Sequence, residues 1–257
     1  MEKGLRIIPT FGCSAKCTFC YQAHLRDDKS TLSVEDMMKV LKGIDLKEYD
    51  YITFMGGEVT EIPDFEKHIA AVRNVFTGRI NVTSNGQAPV EVYNTLSRAG
   101  ANHFNFSVIN PHLEEKIVEI LADNQDLTVR VNVFLPDIDE DYPSIKDIKQ
   151  LGKVRDCIDM ARRNKIQINV LYDYRTEITD YDETVAKIER VAQGYVDIFL
   201  ETKVKDVNFL IMRMLDSDSG FEVWFDINYC KSQELVVGPD GKQTRGFGYM
   251  EGRDEPV

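Results

Sequence analysis

No apolar run in this chain of 257 residues approaches the roughly 18–20 residues of a membrane span, so no membrane segment is expected. The opening Met1-Glu-Lys-Gly-Leu-Arg6 runs straight into a short apolar stretch that ends by Gly12. It has neither the long apolar region nor the small-residue cleavage site of a signal peptide, and none is expected. Basic charge is in deficit: 31 Lys and Arg stand against 43 Asp and Glu, a net charge of −12. Such a chain repels phosphate backbones, which disfavours nucleic acid as a partner, and its charge serves solubility. Cysteine is scarce outside one place. Three of the five are clustered, and Cys157 and Cys230 stand far apart with nothing to mark them as a disulfide. That usage, without a secretion signal, predicts a reducing, cytoplasmic setting. Internal repeats beyond a strand–helix unit and low-complexity linkers are also missing.

What is there centres on Phe11-Gly-Cys-Ser-Ala-Lys-Cys-Thr-Phe-Cys-Tyr21, where Cys13, Cys17 and Cys20 stand at C-x3-C-x2-C. The spacing is too short for ordinary disulfide loops and lets three thiolates converge on one inorganic centre. A structural zinc site takes four protein ligands, and the one further candidate nearby is His24. A cubane [4Fe–4S] cluster normally takes four cysteines. Three in one loop suggest a cluster with one iron left open for another ligand.

The rest of the chain alternates. Strands are predicted at Leu5–Pro9, Tyr51–Met55, Ile80–Thr83, His103–Ile109, Leu127–Leu135 and Ile166–Tyr172. Helices are predicted after Ser33 as N-cap, then over Asp64–Phe76, Val90–Ala99, Leu113–Ala122 and Ile145–Asn164, from apolar spacing and end signals. This order predicts a parallel sheet with helices outside. An open doubly wound sheet would be apolar on both faces, but several strands here carry one polar face. Arg130 and Asn132 alternate with Val129, Val131 and Val133; Gln167 and Asn169 alternate with Ile166, Ile168 and Val170. His103, Asn105 and Ser107 share a face, as do Asn81 and Thr83. A polar lumen explains this, so the expected fold is α/β, a partial (β/α)6 TIM-like barrel.

After about residue 178 the pattern changes. A helix is predicted over Asp182–Ala192 and a strand over Tyr195–Thr202, with Val207–Leu215 reading as a strand or a buried helix turn. Phe221–Ile227 and Glu234–Val237 read as an antiparallel pair, followed by the turn Pro239-Asp-Gly-Lys242. The tail from Thr244 reads as mobile. The division expected is a core over 1–178 and a short C-terminal α+β extension over 179–257, packed on that core.

Cys13-Ser-Ala-Lys-Cys17-Thr-Phe-Cys20 matches the CxxxCxΦC motif of the radical S-adenosylmethionine (SAM) superfamily, and Gly56-Gly57-Glu58 stands past the second predicted strand, where that family carries its GGE motif. The resemblance covers about residues 5–175. It implies that Cys13, Cys17 and Cys20 ligate a [4Fe–4S] cluster whose fourth iron is chelated by the amino and carboxylate groups of SAM. An electron from the cluster then cleaves SAM to methionine and a 5′-deoxyadenosyl radical, which abstracts hydrogen from the substrate. The hard chemistry belongs to the cofactor. By the same resemblance Phe19 and Tyr21 contact adenine or pack in the core. Gly56 and Gly57 let backbone approach the methionine amino group. Glu58 assists that contact or caps the strand end.

The resemblance further implies SAM contacts from Ser84, Asn85 and Ser107 at strand ends, Asn132 on the fifth strand, and Leu171 packed on adenine, with Arg130, Gln167 and His103 as further candidates for substrate or SAM carboxylate. Cys230 precedes a strand and a Pro-Asp-Gly turn, as in members with an auxiliary-cluster domain, but no cysteine follows the turn. One cluster is therefore expected and no complete auxiliary-cluster domain. Cys230 either returns a hydrogen atom to a substrate radical or is a small buried apolar residue; Cys157 reads as core. The expected function is a radical SAM enzyme acting on a peptide or small molecule, with a reductant such as flavodoxin or ferredoxin as partner. The rival readings are a radical SAM enzyme acting on a nucleotide, a non-catalytic Fe–S electron carrier or sensor, and a zinc module.

Overall fold

The computed structural model describes residues 3–17, 20, 22–107, 112–135, 156–157, 159–160, 163–164, 166–172, 197–199, 223–224 and 235–245. In chain order its elements are β1 (Gly4–Ile7), α1 (Val34–Leu41), β2 (Tyr51–Phe54), α2 (Glu66–Arg73), β3 (Arg79–Ser84), α3 (Val90–Ala99), β4 (His103–Ser107) and α4 (Leu113–Asp123). There follow β5 (Thr128–Leu135), β6 (Gln167–Tyr172), β7 (Asp197–Phe199), β8 (Val223–Trp224), β9 (Leu235–Val237) and β10 (Gln243–Arg245). Short 3₁₀ turns at Leu46–Glu48 and Val59–Glu61 were not expected from the sequence. The chain divides into two compact units, 1–129 with 232–257, and 130–231.

In the first unit β1, β2, β3 and β4 are parallel neighbours, and β9 pairs parallel with β1 on its other side. The connections β1–α1–β2, β2–α2–β3 and β3–α3–β4 are the crossovers that parallel strands require. Strand periodicity of two puts Leu5, Ile7, Ile52, Phe54, Ile80, Val82, Phe104 and Phe106 on the helix side, all of them fully buried. Helix periodicity supplies the other half: Met37 and Leu41, Ile69 and Val72, Tyr93 and Leu96, then Leu113, Ile117 and Ile120. Aromatic rings lock the layers edge to face. Phe54 meets Phe65 at 5.4 Å between centroids and Tyr93 meets Phe106 at 5.1 Å; each such ring contributes about 1.5–3 kcal/mol by burial.

Local signals set the ends. Ser33 caps α1 by accepting from Asp36 N–H at 3.1 Å, a contact whose loss costs about 1 kcal/mol. Helix α3 spans the residues expected and stops at Gly100. The opposite strand face is polar, as the alternation required. One row of the register runs Arg6, Thr53, Asn81, His103, with Asn81 Nδ2 donating to Thr53 Oγ1 at 3.1 Å.

In the second unit β5, β6, β7 and β8 follow one another as parallel neighbours. Arg130 Nε and Nη2 donate to Gln167 Oε1 at 2.9 and 2.7 Å across the β5–β6 pair. The six described residues of the expected long helix over 145–164 are helical, and Cys157 among them is buried, as a core cysteine should be. The helix expected over 182–192 and the strand or buried helix turn over 207–215 lie outside the described residues.

Two expectations are corrected. Phe221–Ile227 and Glu234–Val237 do not pair antiparallel: β8 pairs parallel with β7, and β9 lies between β1 and β10. The Pro239–Lys242 turn joins β9 to the strand after it, closing with Gly238 N–H to the Lys242 carbonyl at 2.9 Å. Thr244 consequently sits in β10 and is buried rather than in a tail.

Candidate functional site

The cysteine loop leaves β1 and returns to α1, and its two limbs are laced together. Thr10 and Thr31 form an antiparallel bridge, and Leu32 N–H donates to the Pro9 carbonyl at 2.7 Å. Thr10 Oγ1–H donates to the Ser30 carbonyl at 2.9 Å and accepts from Gly12 N–H at 3.0 Å. Cys13 N–H reaches the Arg26 carbonyl at 3.2 Å. Ile8, Phe11, Met55 and Val236 form a buried apolar cluster against which Leu25, on the loop's returning side, packs.

The stretch after β2 runs beside the outgoing limb and continues the β1–β2 ladder past its last regular residue. Met55 N–H donates to the Ile7 carbonyl (3.0 Å), Gly57 N–H to Thr10 (2.8 Å) and Glu58 N–H to Gly12 (2.9 Å). Two glycines permit this. Gly56 has φ 127°, a conformation L side chains rarely adopt. A Cβ on Gly57 would run into the Gly12 carbonyl oxygen and the Phe11 carbonyl group, all backbone. The close approach visible here is therefore between two stretches of this chain.

Glu58 is 3% exposed. Its carboxylate accepts from Thr60 N–H (3.2 Å), Thr60 Oγ1–H (2.7 Å) and Asn85 N–H (2.6 Å). It caps the 3₁₀ turn at Val59–Glu61 and ties the end of β3 to the Gly-Gly stretch. Burial pushes its pKa above the ordinary carboxylate value, opposed by these hydrogen bonds. Ser84, at the end of β3, is engaged by Tyr93 Oη at 2.9 Å and accepts from Gly86 N–H at 3.1 Å. Asn85 is different. Its Oδ1 accepts from Gln87 N–H at 2.9 Å, while its Nδ2 is buried with no partner. An unpaired buried amide donor is costly and suits an acceptor on a ligand.

The three cysteines lie on this one loop, each half-buried and none in a disulfide. Cys17 and Cys20 share a turn, Cys20 N–H donating to the Cys17 carbonyl at 3.3 Å. Burial raises the pKa of Cys13, helped by the charges of Glu58, Glu61 and Cys17, against a lowering backbone hydrogen bond at Ala15. Burial likewise raises Cys17, with the Cys20 charge next. Among the described residues no three His, Cys, Asp or Glu side chains stand at metal-ligand spacing. The three thiols share one loop and do not form a closed ligand set. Their chemistry fits a thiophilic cluster, and the buried Asn85 amide fits a ligand carboxylate or hydroxyl beside it.

Ser107 ends β4 half-buried. In the second unit Asn132 stands in register with Asn169 and is half-buried, and Leu171 is in register with Phe134. Phe19, Tyr21 and Cys230 lie outside the described residues, as does the side chain of Leu171. Sequence reasoning passed over two residues that hold this region. Glu61 accepts from Ser14 N–H at 3.1 Å and from Ser14 Oγ–H. Lys116, on α4, donates to the carbonyls of Gly86 (2.7 Å) and Ala88 (2.5 Å) and braces the loop after β3. Neither sits in a local motif, and nothing in the sequence spacing marks them.

The family model described as the radical SAM superfamily matches residues 7–188. A probable GTP 3′,8-cyclase from Methanocella arvoryzae is 28% identical over 173 residues, 65% of this chain and 47% of the relative. The chain thus spans about half the length of that curated relative. The crystal structure of Streptococcus suis SuiB bound to S-adenosylmethionine superposes with a TM-score of 0.59 at 14% identity, covering 94% of this chain and 59% of that one. The structure of anSMEcpe with bound AdoMet gives 0.59 at 13%, covering 96% and 75%. At these identities the likeness is one of fold: an α/β chain of parallel strands like that of TIM-like radical SAM enzymes. No described helix is long and apolar enough to cross a membrane.

Proposed function

The chain belongs to the radical SAM superfamily, whose members use a [4Fe–4S] cluster and SAM, and from that premise we propose that it is a hydrogen-abstracting enzyme with Cys13, Cys17 and Cys20 as cluster ligands. The observation that carries this reading is the splint between the cysteine loop and Gly56-Gly57-Glu58, with the unpaired Asn85 amide beside it. When bound, the cluster and SAM supply an electron and a sulfonium whose cleavage yields the 5′-deoxyadenosyl radical.

The chain's own residues hold and shield. Cys13, Cys17 and Cys20 provide thiolates. The Gly-Gly stretch fixes the cysteine loop against the strand ends. Glu58 holds Asn85 so that its amide hydrogens are offered to SAM's carboxylate or ribose. Ser84, whose hydroxyl is taken by Tyr93, supports that segment; Ser107, Asn132 and Leu171 are further contact candidates, as are Phe19 and Tyr21 toward adenine. Ile8, Phe11 and Met55 exclude water with their buried apolar side chains. Residues 1–178 form the core in this reading and 179–257 its extension; Cys230 is the candidate hydrogen donor.

The substrate class is a peptide or small molecule, taken with an electron from a flavodoxin- or ferredoxin-like donor in the cytoplasm. SuiB, of the same fold, was crystallised with its precursor peptide SuiA, which favours the peptide. The GTP 3′,8-cyclase relative favours a nucleotide as second reading, against which stands the net charge of −12. Anaerobic reconstitution with iron and sulfide, followed by dithionite and SAM, decides the activity. Release of 5′-deoxyadenosine is the expected result; a reducible cluster that leaves SAM intact would make the chain an electron carrier, and colourless zinc-loaded protein would end both readings.

A further inference from the structure

Along the outgoing limb of the cysteine loop, backbone ties to the second strand's extension end at Gly12. The next contact is made by a side chain. Glu61, on the 3₁₀ turn that Glu58 caps, accepts from Ser14 N–H with both carboxylate oxygens at 3.1 Å and from the Ser14 hydroxyl with Oε1. Ser14 directly follows Cys13, whose own N–H is bonded to Arg26 on the returning limb. The peptide before Cys13 and the peptide after it are therefore both held. Glu61 and Ser14 are exposed, and no core packing needs either of them.

We propose that Glu61 is a positioning residue for the cluster: through Ser14 it fixes the backbone of Cys13 and so aims the first thiolate, while placing a negative charge beside the iron site. This rests on the reading of Cys13, Cys17 and Cys20 as ligands of a [4Fe–4S] cluster. The Gly-Gly-Glu stretch and Glu61 then form one device, with backbone holding the loop as far as Gly12 and a carboxylate extending the hold past the ligand.

The test compares Glu61→Ala, Glu61→Gln and Ser14→Ala with the unaltered chain. In metal-free protein, alkylation by iodoacetamide is followed at each cysteine by mass spectrometry. In reconstituted protein, iron loss to bathophenanthroline and the cluster's midpoint potential are followed by absorbance and electron paramagnetic resonance. Glu61→Ala should speed iron loss by about tenfold, the low end for a lost outer partner of a metal ligand, and should change the alkylation of Cys13 more than that of Cys17 or Cys20. Glu61→Gln keeps an acceptor for Ser14 N–H and removes the charge, so it should hold iron better than Glu61→Ala while raising the potential. Combining Ser14→Ala with Glu61→Ala should add nothing to Glu61→Ala. Additive effects, or a Glu61→Ala chain that matches the unaltered one in alkylation and iron loss, would overturn the proposal. If the unaltered chain takes up no iron, the cluster reading fails by itself, and the alkylation pattern still decides whether Glu61 holds Cys13.

Discussion

The foot and the crown of the cysteine loop are built by different means. At the foot, residues 7–14 and 26–32 are tied to each other and to the stretch after β2 by long-range hydrogen bonds, from Met55 N–H at the Ile7 carbonyl to Glu61 at Ser14. At the crown, the backbone ties around Cys17 and Cys20 among the described residues are local turns: Cys20 to Cys17, Ala23 to Cys20, Leu25 to Gln22. One proposed ligand, Cys13, is thus tied to the sheet and its extension, and the other two sit in a turn of the chain on itself. A loop built this way can admit a cluster at its crown without disturbing the strands that seat it, because among the described residues the crown's backbone hydrogen bonds span three residues.

The largest expected effect comes from breaking the crown chemically while sparing the foot. Cys17→Ser should abolish SAM cleavage under anaerobic dithionite. It should leave the thermal midpoint of the metal-free chain nearly unchanged, because Cys17 is half-buried in local turns and not part of the core. A large loss of metal-free stability would show that the crown, too, is built into the fold. Gly57→Ala strikes the foot instead. Its Cβ meets backbone of Gly12 and Phe11, which cannot move aside as a side chain would. We expect a stability loss of about 1–3 kcal/mol, the usual range for overpacking, measured by urea denaturation, together with weakened iron retention. Unaltered stability would mean that the two limbs are free to part.

Next in size is Tyr93→Phe, one layer removed. Tyr93 is fully buried between Phe104 and Phe106, and its hydroxyl meets Ser84 at the strand end that carries Asn85. Burial pushes the pKa of that phenol up, so it stays neutral. Removing the hydroxyl should cost about 0.5–1.5 kcal/mol. It should raise the KM for SAM more than it lowers kcat, because it loosens the segment and removes no proposed contact. An equal fall in both would assign Ser84 or Tyr93 a direct part.

The same contrast separates what the sequence disclosed from what it did not. Features made by neighbours in the chain were legible: the cysteine spacing, the Ser33 cap, the stop at Gly100, and the apolar periods that place Phe54, Val82 and Phe106 toward the helices. Glu61 was not legible, because its partner Ser14 lies 47 residues away and an exposed Glu has no pattern of its own. Lys116, 30 residues from Gly86, was missed for the same reason. The turn at Pro239–Lys242 and the strand before it were read correctly; the strand after it and the pairing were not. Turn chemistry is local, whereas Gln243-Thr-Arg245 is too short and too polar to declare a strand, and the pairing of β9 with β1 spans almost the whole chain. Glu58 fell between the two cases. Its motif was visible and Thr60 lies two residues on, but its hold on Asn85 needed the β2 and β3 ends side by side.

The smallest expected effect tests the returning limb. His68, on α2, is buried; its Nε2 meets the Leu32 carbonyl at 2.8 Å, and its Nδ1 has no partner. Leu32 in turn holds Pro9, so His68 steadies the loop's foot from behind. The Nε2–H tautomer satisfies Leu32 and leaves Nδ1 as a bare acceptor. A second proton would have to sit on Nδ1, buried and without an acceptor. Burial accordingly lowers the pKa of His68 from its usual 6.5, against the raising effect of the Leu32 carbonyl. A base with a lowered folded pKa binds more protons when unfolded. Its contribution to stability is therefore complete above the unfolded value and is lost as pH falls below it. Urea midpoints of the metal-free chain should decline from about pH 6.5 downward, by at most about 1.4 kcal/mol per pH unit from this one group. In His68→Gln, where an amide still donates to Leu32, that share of the slope should vanish. A variant that declines in parallel with the unaltered chain would show that protonated His68 is tolerated, and that the foot is held by its backbone ties alone.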